Sequence, residues 1–249
     1  MYCRRQLLFF LLIVCSVIGA NSQVIYVKAN ASGKGTSWSD ATGNLKAVLD
    51  TARAGAQIWV TQGVYVPGNC SACTLQERDV YFQLRNGIQL YGGFTGNETR
   101  LEDRNPVAHP TILSGDLNGD GQLLNNAFTV LYSKNVSEAT VIDGVIISGG
   151  NADLKEGALG SRFTSGGGWL NESSPQDGRS NPIARNCIFR NNYALGYGGA
   201  LFDEGSFRGE VRSLFLDALA EREADERGDL RRGADLLLRV LQRLLDGDV

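Results

Sequence analysis

One stretch constrains the fold of this chain more than any other: residues 180–204, SNPIARNCIFRNNYALGYGGALFDE. A short apolar strand (Ile188, Phe189) runs into an Asn pair (Asn191, Asn192) and then into Gly198-Gly199-Ala200-Leu201. A weaker version lies upstream, where Val145-Ile146-Ile147 leads to Gly149-Gly150-Asn151 and later to Gly166-Gly167-Gly168-Trp169-Leu170-Asn171. Strand, Asn and glycine pair recurring at roughly two to three dozen residues is the sequence mark of a repeat architecture. Composition agrees: Gly 31 against Pro 5 means many tight turns between short strands.

The rest of the chain carries the same punctuation. Gln57-Ile58-Trp59-Val60, Val64-Tyr65-Val66, Val80-Tyr81-Phe82-Gln83-Leu84, Ile88-Gln89-Leu90-Tyr91, Thr111-Ile112-Leu113, Phe128-Thr129-Val130-Leu131 and Val141-Ile142-Asp143 are short, β-branched or aromatic, and closed by Gly, Asn or Asp. None is long enough for a helix. Stacked parallel strands satisfy this pattern, with Asn side chains forming ladders from one rung to the next. Residues 24–55 read differently: a strand Val24-Ile25-Tyr26-Val27, then Leu45, Val48, Leu49 and Ala52 at the spacing of one helical stripe. A strand and a helix ahead of a repeat array would cover the open end of its first rung.

The first 22 residues read as a secretory signal: Arg4 and Arg5, an apolar run from Leu7 to Ile18, and small residues at Gly19-Ala20-Asn21-Ser22. That run is shorter than the ~20 residues a bilayer span needs, so no transmembrane span is expected in the mature chain. An exported chain meets an oxidising compartment, and Cys70-Ser71-Ala72-Cys73 then reads as a local disulfide pinning a loop. Redox or zinc chemistry would want a second pair or a nearby His. Cys187, between Asn186 and Ile188, reads as a small buried apolar side chain. A net charge of −3 speaks against nucleic acid as a partner.

The opening IYVKANASGKGTSWSDATGNLKAVLDTARAGAQIWVTQGVYVP resembles the N-terminal cap and first rung of secreted bacterial right-handed parallel β-helix proteins of pectin-lyase-like fold. GIQLYGGFTGNETRLEDRNPVAHPTILSGDLNGDG resembles the second block of the same group. FRNN (Phe189 to Asn192) with GGAL (Gly198 to Leu201) is similar to the short repeat of polymorphic outer membrane proteins. The resemblance implies an all-β, right-handed parallel β-helix over residues 23–205, capped by residues 24–55. It implies a secreted or outer-membrane, cell-surface location. The function expected is a binding, adhesive or structural module contacting glycans or cell-surface ligands. The fold alone also leaves a carbohydrate-active enzyme of pectate-lyase type, acting on acidic polysaccharide. A third reading is a truncated fragment without independent function.

That third reading comes from residues 206–249, where the pattern changes: Arg is used and Lys is not, and Gly becomes sparse. Val211, Leu214, Phe215 and Ala218 make one helical stripe, and Leu230, Ala234, Leu237, Leu241 and Leu244 another. The segment is expected to be helical, either a C-terminal cap or a foreign, frameshifted tail.

Candidate chemistry is sparse. Asp116, Asn118 and Asp120 sit at positions 1, 3 and 5 of a calcium-type loop closed by Gly121, but position 12 is Ala127 instead of an acid. A plain turn is the alternative; calcium, the sole cofactor considered, would be structural. A lyase needs acids and an Arg or Lys on one face. Asp143, Arg185 and Arg190 fall on or near strands, but no catalytic set can be assigned among them. Trp38, Trp59, Tyr65, Tyr91, Trp169 and Tyr197 could stack on sugars if exposed, and most are expected in the core.

Overall fold

The computed structural model describes residues 23–174, 179–203, 211–212 and 215–217. The expected signal segment 1–22 lies outside them. The described chain is mostly sheet, with few helices, and every strand pairing between named strands is parallel.

The strands fall into sheets visited in a fixed order. β1 (Val24–Val27) opens the chain, and α1 (Leu45–Thr51) follows. β2 (Gln57–Thr61) pairs with β1 in a first sheet, and β3 (Gly63–Tyr65) and β4 (Phe82–Leu84) start two others, with α2 (Leu75–Arg78) between them. β5 (Gln89–Phe94), β6 (Thr111–Ser114) and β7 (Leu131–Lys134) add one strand to each in turn. β8 (Val141–Asp143), β9 (Val145–Ser148) and β11 (Trp169–Glu172) do so again, as do β12 (Ile183–Arg185), β13 (Ile188–Arg190) and β15 (Leu201–Asp203); β10 (Asn151–Ala152) follows β9, and β14 (Tyr193–Ala194) follows β13. β16 (Val211–Arg212) and β17 (Phe215–Asp217) extend two of them once more. The first sheet is ordered β1-β2-β5-β8-β12-β16, the second β3-β6-β9-β13-β17 and the third β4-β7-β11-β15; β10 and β14 form a two-stranded fourth.

Register explains why these residues make strands. Ile58, Leu90, Ile142 and Ala184 are successive partners in the first sheet, and all are buried. Tyr65, Leu113, Ile147 and Phe189 do the same in the second, and Phe82, Leu131 and Trp169 in the third. These three columns belong to one apolar cluster. Each fully buried side chain contributes about 1.5–3 kcal/mol relative to exposure. Corners between strands need left-handed backbone: Gly144 (φ 75) separates β8 from β9, and Asn186 (φ 50) takes the same place between β12 and β13. Asn is the residue after Gly that visits this region most readily.

The opening repeat now has a physical account. Phe189 points into the core, Asn191 turns the chain at φ 54, and Asn192 reaches the preceding circuit. Its Nδ2 donates to the Ile147 carbonyl at 2.9 Å, and its Oδ1 accepts from Gly150 N–H at 2.9 Å. The paired glycines allow backbones to touch: a Cβ on Gly150 would overlap the Gly167 carbonyl oxygen. An Asn-containing ladder also forms inside the third sheet. Ser133 donates to Asn171 Oδ1 at 2.6 Å, and Asn171 Nδ2 donates to Asp203 Oδ1 at 2.7 Å. Trp169 Nε1 joins it through Ser133 Oγ at 2.9 Å.

At the amino-terminal end, β1 is the edge strand of the first sheet and α1 packs near β4. Asn44 caps α1 by accepting from Ala47 N–H, and Leu45 and Leu49 are buried beneath it. At the other end the expected helical stripe through Val211 and Phe215 is corrected. Val211 pairs with Ala184 in β12, and Phe215 with Ile188 in β13, as parallel strands. The second stripe, Leu230 to Leu244, lies outside the described residues.

Candidate functional site

Residues 191–197 follow β13 as a corner strip in which exposed and partly buried residues alternate. Tyr193, Leu195 and Tyr197 are 36%, 44% and 39% exposed, unusually open for three large apolar side chains in a row. Tyr197 stacks on Phe202 with ring centroids 5.4 Å apart, which holds its orientation. Beside Tyr193 and Leu195 lies a cavity of about 210 Å³, closed by Leu124, Asn151, Asp153 and Lys155.

The polar groups of this pocket differ in freedom. Asp153 is fixed: Arg78 donates to its Oδ1 at 2.6 Å and Asn151 to its Oδ2 at 2.9 Å. Arg78 is itself buried, bonded to the Asn126 and Asn151 carbonyls and stacked 4.2 Å over Phe128. Lys155 is exposed and makes no ion pair among the described residues. With Asp153 paired to Arg78, the exposed Lys155 and the Tyr193 side chain line the same pocket.

A second concavity, about 640 Å³, lies between the segment 101–110 and the outward side of the second sheet. Leu101, Pro106, Val107 and Pro110 form one wall, and Val145, Ile146 and Ile188 the other. Arg104 anchors the segment: its Nη2 lies 2.9 Å from Asp143 Oδ1, and its guanidinium sits 5.4 Å over the Tyr91 ring. Asn186 Nδ2 also donates to Asp143 Oδ1, at 2.9 Å. Burial, then the Asp143 charge, push the Tyr91 phenol above its usual range.

The residues singled out from sequence are thereby placed. Asp143 and Arg185 are partners in the first sheet, whereas Arg190 pairs with Ser148 in the second. Asp143 is committed to Arg104 and Asn186. In the loop of Asp116, Asn118 and Asp120, Asp116 accepts N–H bonds from Gly119 at 2.9 Å and Gly121 at 3.0 Å. Asp120 accepts from Gln122 N–H at 2.7 Å and from Asn118 Nδ2 at 2.9 Å. These oxygens organise the turn itself, and Ala127 is buried. Among the described residues no three His, Cys, Asp or Glu gather as a metal-binding group.

Cys70 and Cys73 are joined as a disulfide, Cα atoms 5.0 Å apart, just before α2. Cys187 is buried and free, and burial pushes its thiol up to about 12. Trp59, Tyr65 and Trp169 are core residues, and Trp38 packs against Tyr26, Trp59 and Phe94. Of the aromatics considered from sequence, Tyr197 is markedly exposed. The Tyr193 pocket was missed, although the period-two run Tyr193, Leu195, Tyr197 after a strand was visible in the sequence. Arg78 and Arg104 gave no sequence signal, because their partners are distant along the chain.

The described molecule is mostly sheet, with parallel strands and few helices, and it carries a small, polar-edged aromatic pocket and a larger apolar groove. No helix among the described residues is long and apolar enough to cross a membrane. Comparison with protein-family models, curated proteins and solved structures finds no match to this chain.

Proposed function

We propose that this chain is a secreted or cell-surface binding module, built as a right-handed parallel β-helix, that contacts glycans at the Tyr193 pocket. The fixed order in which the chain visits its three parallel sheets supports the β-helix, as does the resemblance of its sequence blocks to that group. The observation that carries the function is the exposure of Tyr193 and Leu195 in a pocket they share with a held carboxylate, Asp153, and the exposed Lys155. A sugar ring offers C–H groups on one face and hydroxyls at its edge. Tyr193 supplies a surface for the face, and Asp153, pinned by Arg78 and Asn151, accepts from the hydroxyls without paying to be ordered. Lys155 favours saccharides carrying an anionic group.

A glycan array probed with the full chain tests this. Retention of a defined set of saccharides, reduced about tenfold by Tyr193→Ala, is the expected result, since ~1.4 kcal/mol lost at the pocket is a factor of ten. Retention of none, or binding unchanged in Tyr193→Ala, would overturn the glycan reading. Release of unsaturated products from a uronan in the presence of calcium would replace it with a lyase.

A further inference from the structure

Large apolar side chains left open to solvent are ordinarily scattered over a surface, and here they gather. Among the described residues eight are exposed, and five of them, Leu124, Leu159, Tyr193, Leu195 and Tyr197, meet along residues 193–197. Leu124 shares the small pocket with Tyr193 and Leu195. Leu159 borders the far end, since a Cβ built on Gly196 would lie 3.2 Å from Leu159 Cδ2. The pocket is thus one end of a longer apolar strip, and Tyr197 is the other.

The strip is held before any ligand arrives. Tyr193 N–H donates to the Gly150 carbonyl at 2.8 Å, and Leu195 N–H to the Ala152 carbonyl at 2.9 Å. Gly196 N–H donates to the Thr164 carbonyl at 2.7 Å, and the Tyr197 carbonyl accepts from Gly166 N–H at 2.9 Å. Tyr197 N–H also donates to Ser165 Oγ at 3.1 Å, while its ring rests on Phe202. Groups fixed in this way lose little freedom when a ligand binds. Extended backbone advances ~3.3 Å per residue, so the four steps from Tyr193 to Tyr197 reach up to ~13 Å. One sugar ring is too small to touch both tyrosines. A protein partner is too large: a stable interface takes about 20–30 residues a side, and the strip offers five exposed side chains.

We propose that the strip binds a linear saccharide chain of several units, with one ring on Tyr193 beside Asp153 and another on Tyr197. The proposal rests on the glycan reading of the Tyr193 pocket and extends it to chain length. Tyr197 and Leu159 then set specificity, because they touch only ligands long enough to pass Leu195.

Affinity titrations of the full chain with cello-oligosaccharides and with oligogalacturonates, from disaccharide to hexasaccharide, test it. In at least one series the hexasaccharide should bind at least tenfold more tightly than the disaccharide, more than repeated copies of one unit supply by number alone. Tyr197→Ala should lower that ratio about tenfold, as expected for the loss of one stacking ring. Leu159→Ser, at a position 67% exposed, should lower it in the same direction without disturbing the core. Tyr193→Ala should weaken binding at every length. Affinity that does not grow with length, or a ratio unchanged in both Tyr197→Ala and Leu159→Ser, overturns the extended strip and leaves the pocket reading standing. Failure of both series to bind overturns the pocket reading as well.

Discussion

The outward faces of the second and third sheets start from similar residues and end in opposite states. On the third, Tyr132, Leu170 and Phe202 are partners in register, and Leu170 is completely buried although it points away from the core column of Trp169. Residues 153–166 run across this side: Gly166 lies against Leu170, and Gly160 faces the Phe202 ring. Arg162 ties that segment down with two bonds to the Asp79 carboxylate, at 2.6 and 2.8 Å, and its carbonyl accepts from Thr129 Oγ1 at 3.0 Å. On the second sheet, Val64, Ile112, Ile146 and Ile188 are partners in register, and residues 101–110 wall a groove over Ile146 and Ile188 without closing it. A single long connection, placed after β10, thus converts an apolar sheet face into interior. Its counterpart after β5 leaves a groove.

The difference can be broken by mutation, and the largest effect belongs at Leu170. Leu170→Asp should lower stability by about 4 kcal/mol or more, because an unpaired charge would be buried under the 153–166 segment. Ile146→Asp, on the open face, should cost under about 1 kcal/mol, since surface changes are usually small. Denaturant midpoints of the two variants check the contrast; comparable losses would remove the distinction. Next comes Arg104→Ala. The Arg104–Asp143 pair is 12% and 8% exposed, and removing one partner of a buried pair costs about 3–5 kcal/mol, here at the low end because Asn186 still donates to Asp143. Faster proteolysis within residues 101–110 should accompany it.

Asn192→Ala deletes two side-chain bonds from the second-sheet corner to the preceding circuit and should cost about 1–3 kcal/mol by leaving buried backbone groups unpaired. A smaller effect comes from pH. Burial opposes ionisation of Glu98, yet bonds from the Thr95 N–H and hydroxyl and from the Gly96 N–H outweigh it and hold the carboxyl at about 2. A depressed folded value means this carboxylate stabilises the native state above the ordinary Glu range. That contribution is lost as pH falls from about 4.5 towards 2. Trp38 donates to the Glu98 carbonyl at 2.8 Å, so its fluorescence should report the loss; a signal flat across that window would refute it. Smallest of all, Cys187 should resist thiol reagents at pH 8 until the chain unfolds, because burial keeps it protonated.

Much of the core was legible because period-two alternation and glycine punctuation are local. The strands carrying Ile58, Leu90, Phe82 and Phe189 could be placed from their neighbours, whereas the inward direction of each side chain follows from the register. The strands at Val211 and Phe215 were misread as helix for a physical reason. Ile142 and Ile146, Ala184 and Ile188, and Val211 and Phe215 are each spaced by four, because two short strands joined at a corner imitate a helical repeat. The pockets were less legible. Asp153 owes its fixed carboxylate to Arg78, and Asp143 its partner to Arg104, across separations that only the stacking of circuits brings together. Turn chemistry, by contrast, could be read in place, and the loop of Asp116 closes on its own backbone.

Hydroxyl-radical footprinting of the full chain tests the contrast between the two faces most directly. Leu170 should stay unlabelled, while Val107, Ile146 and Ile188 should be labelled. Labelling of Leu170, or Ile146 and Ile188 as fully protected as Leu170, would contradict the contrast.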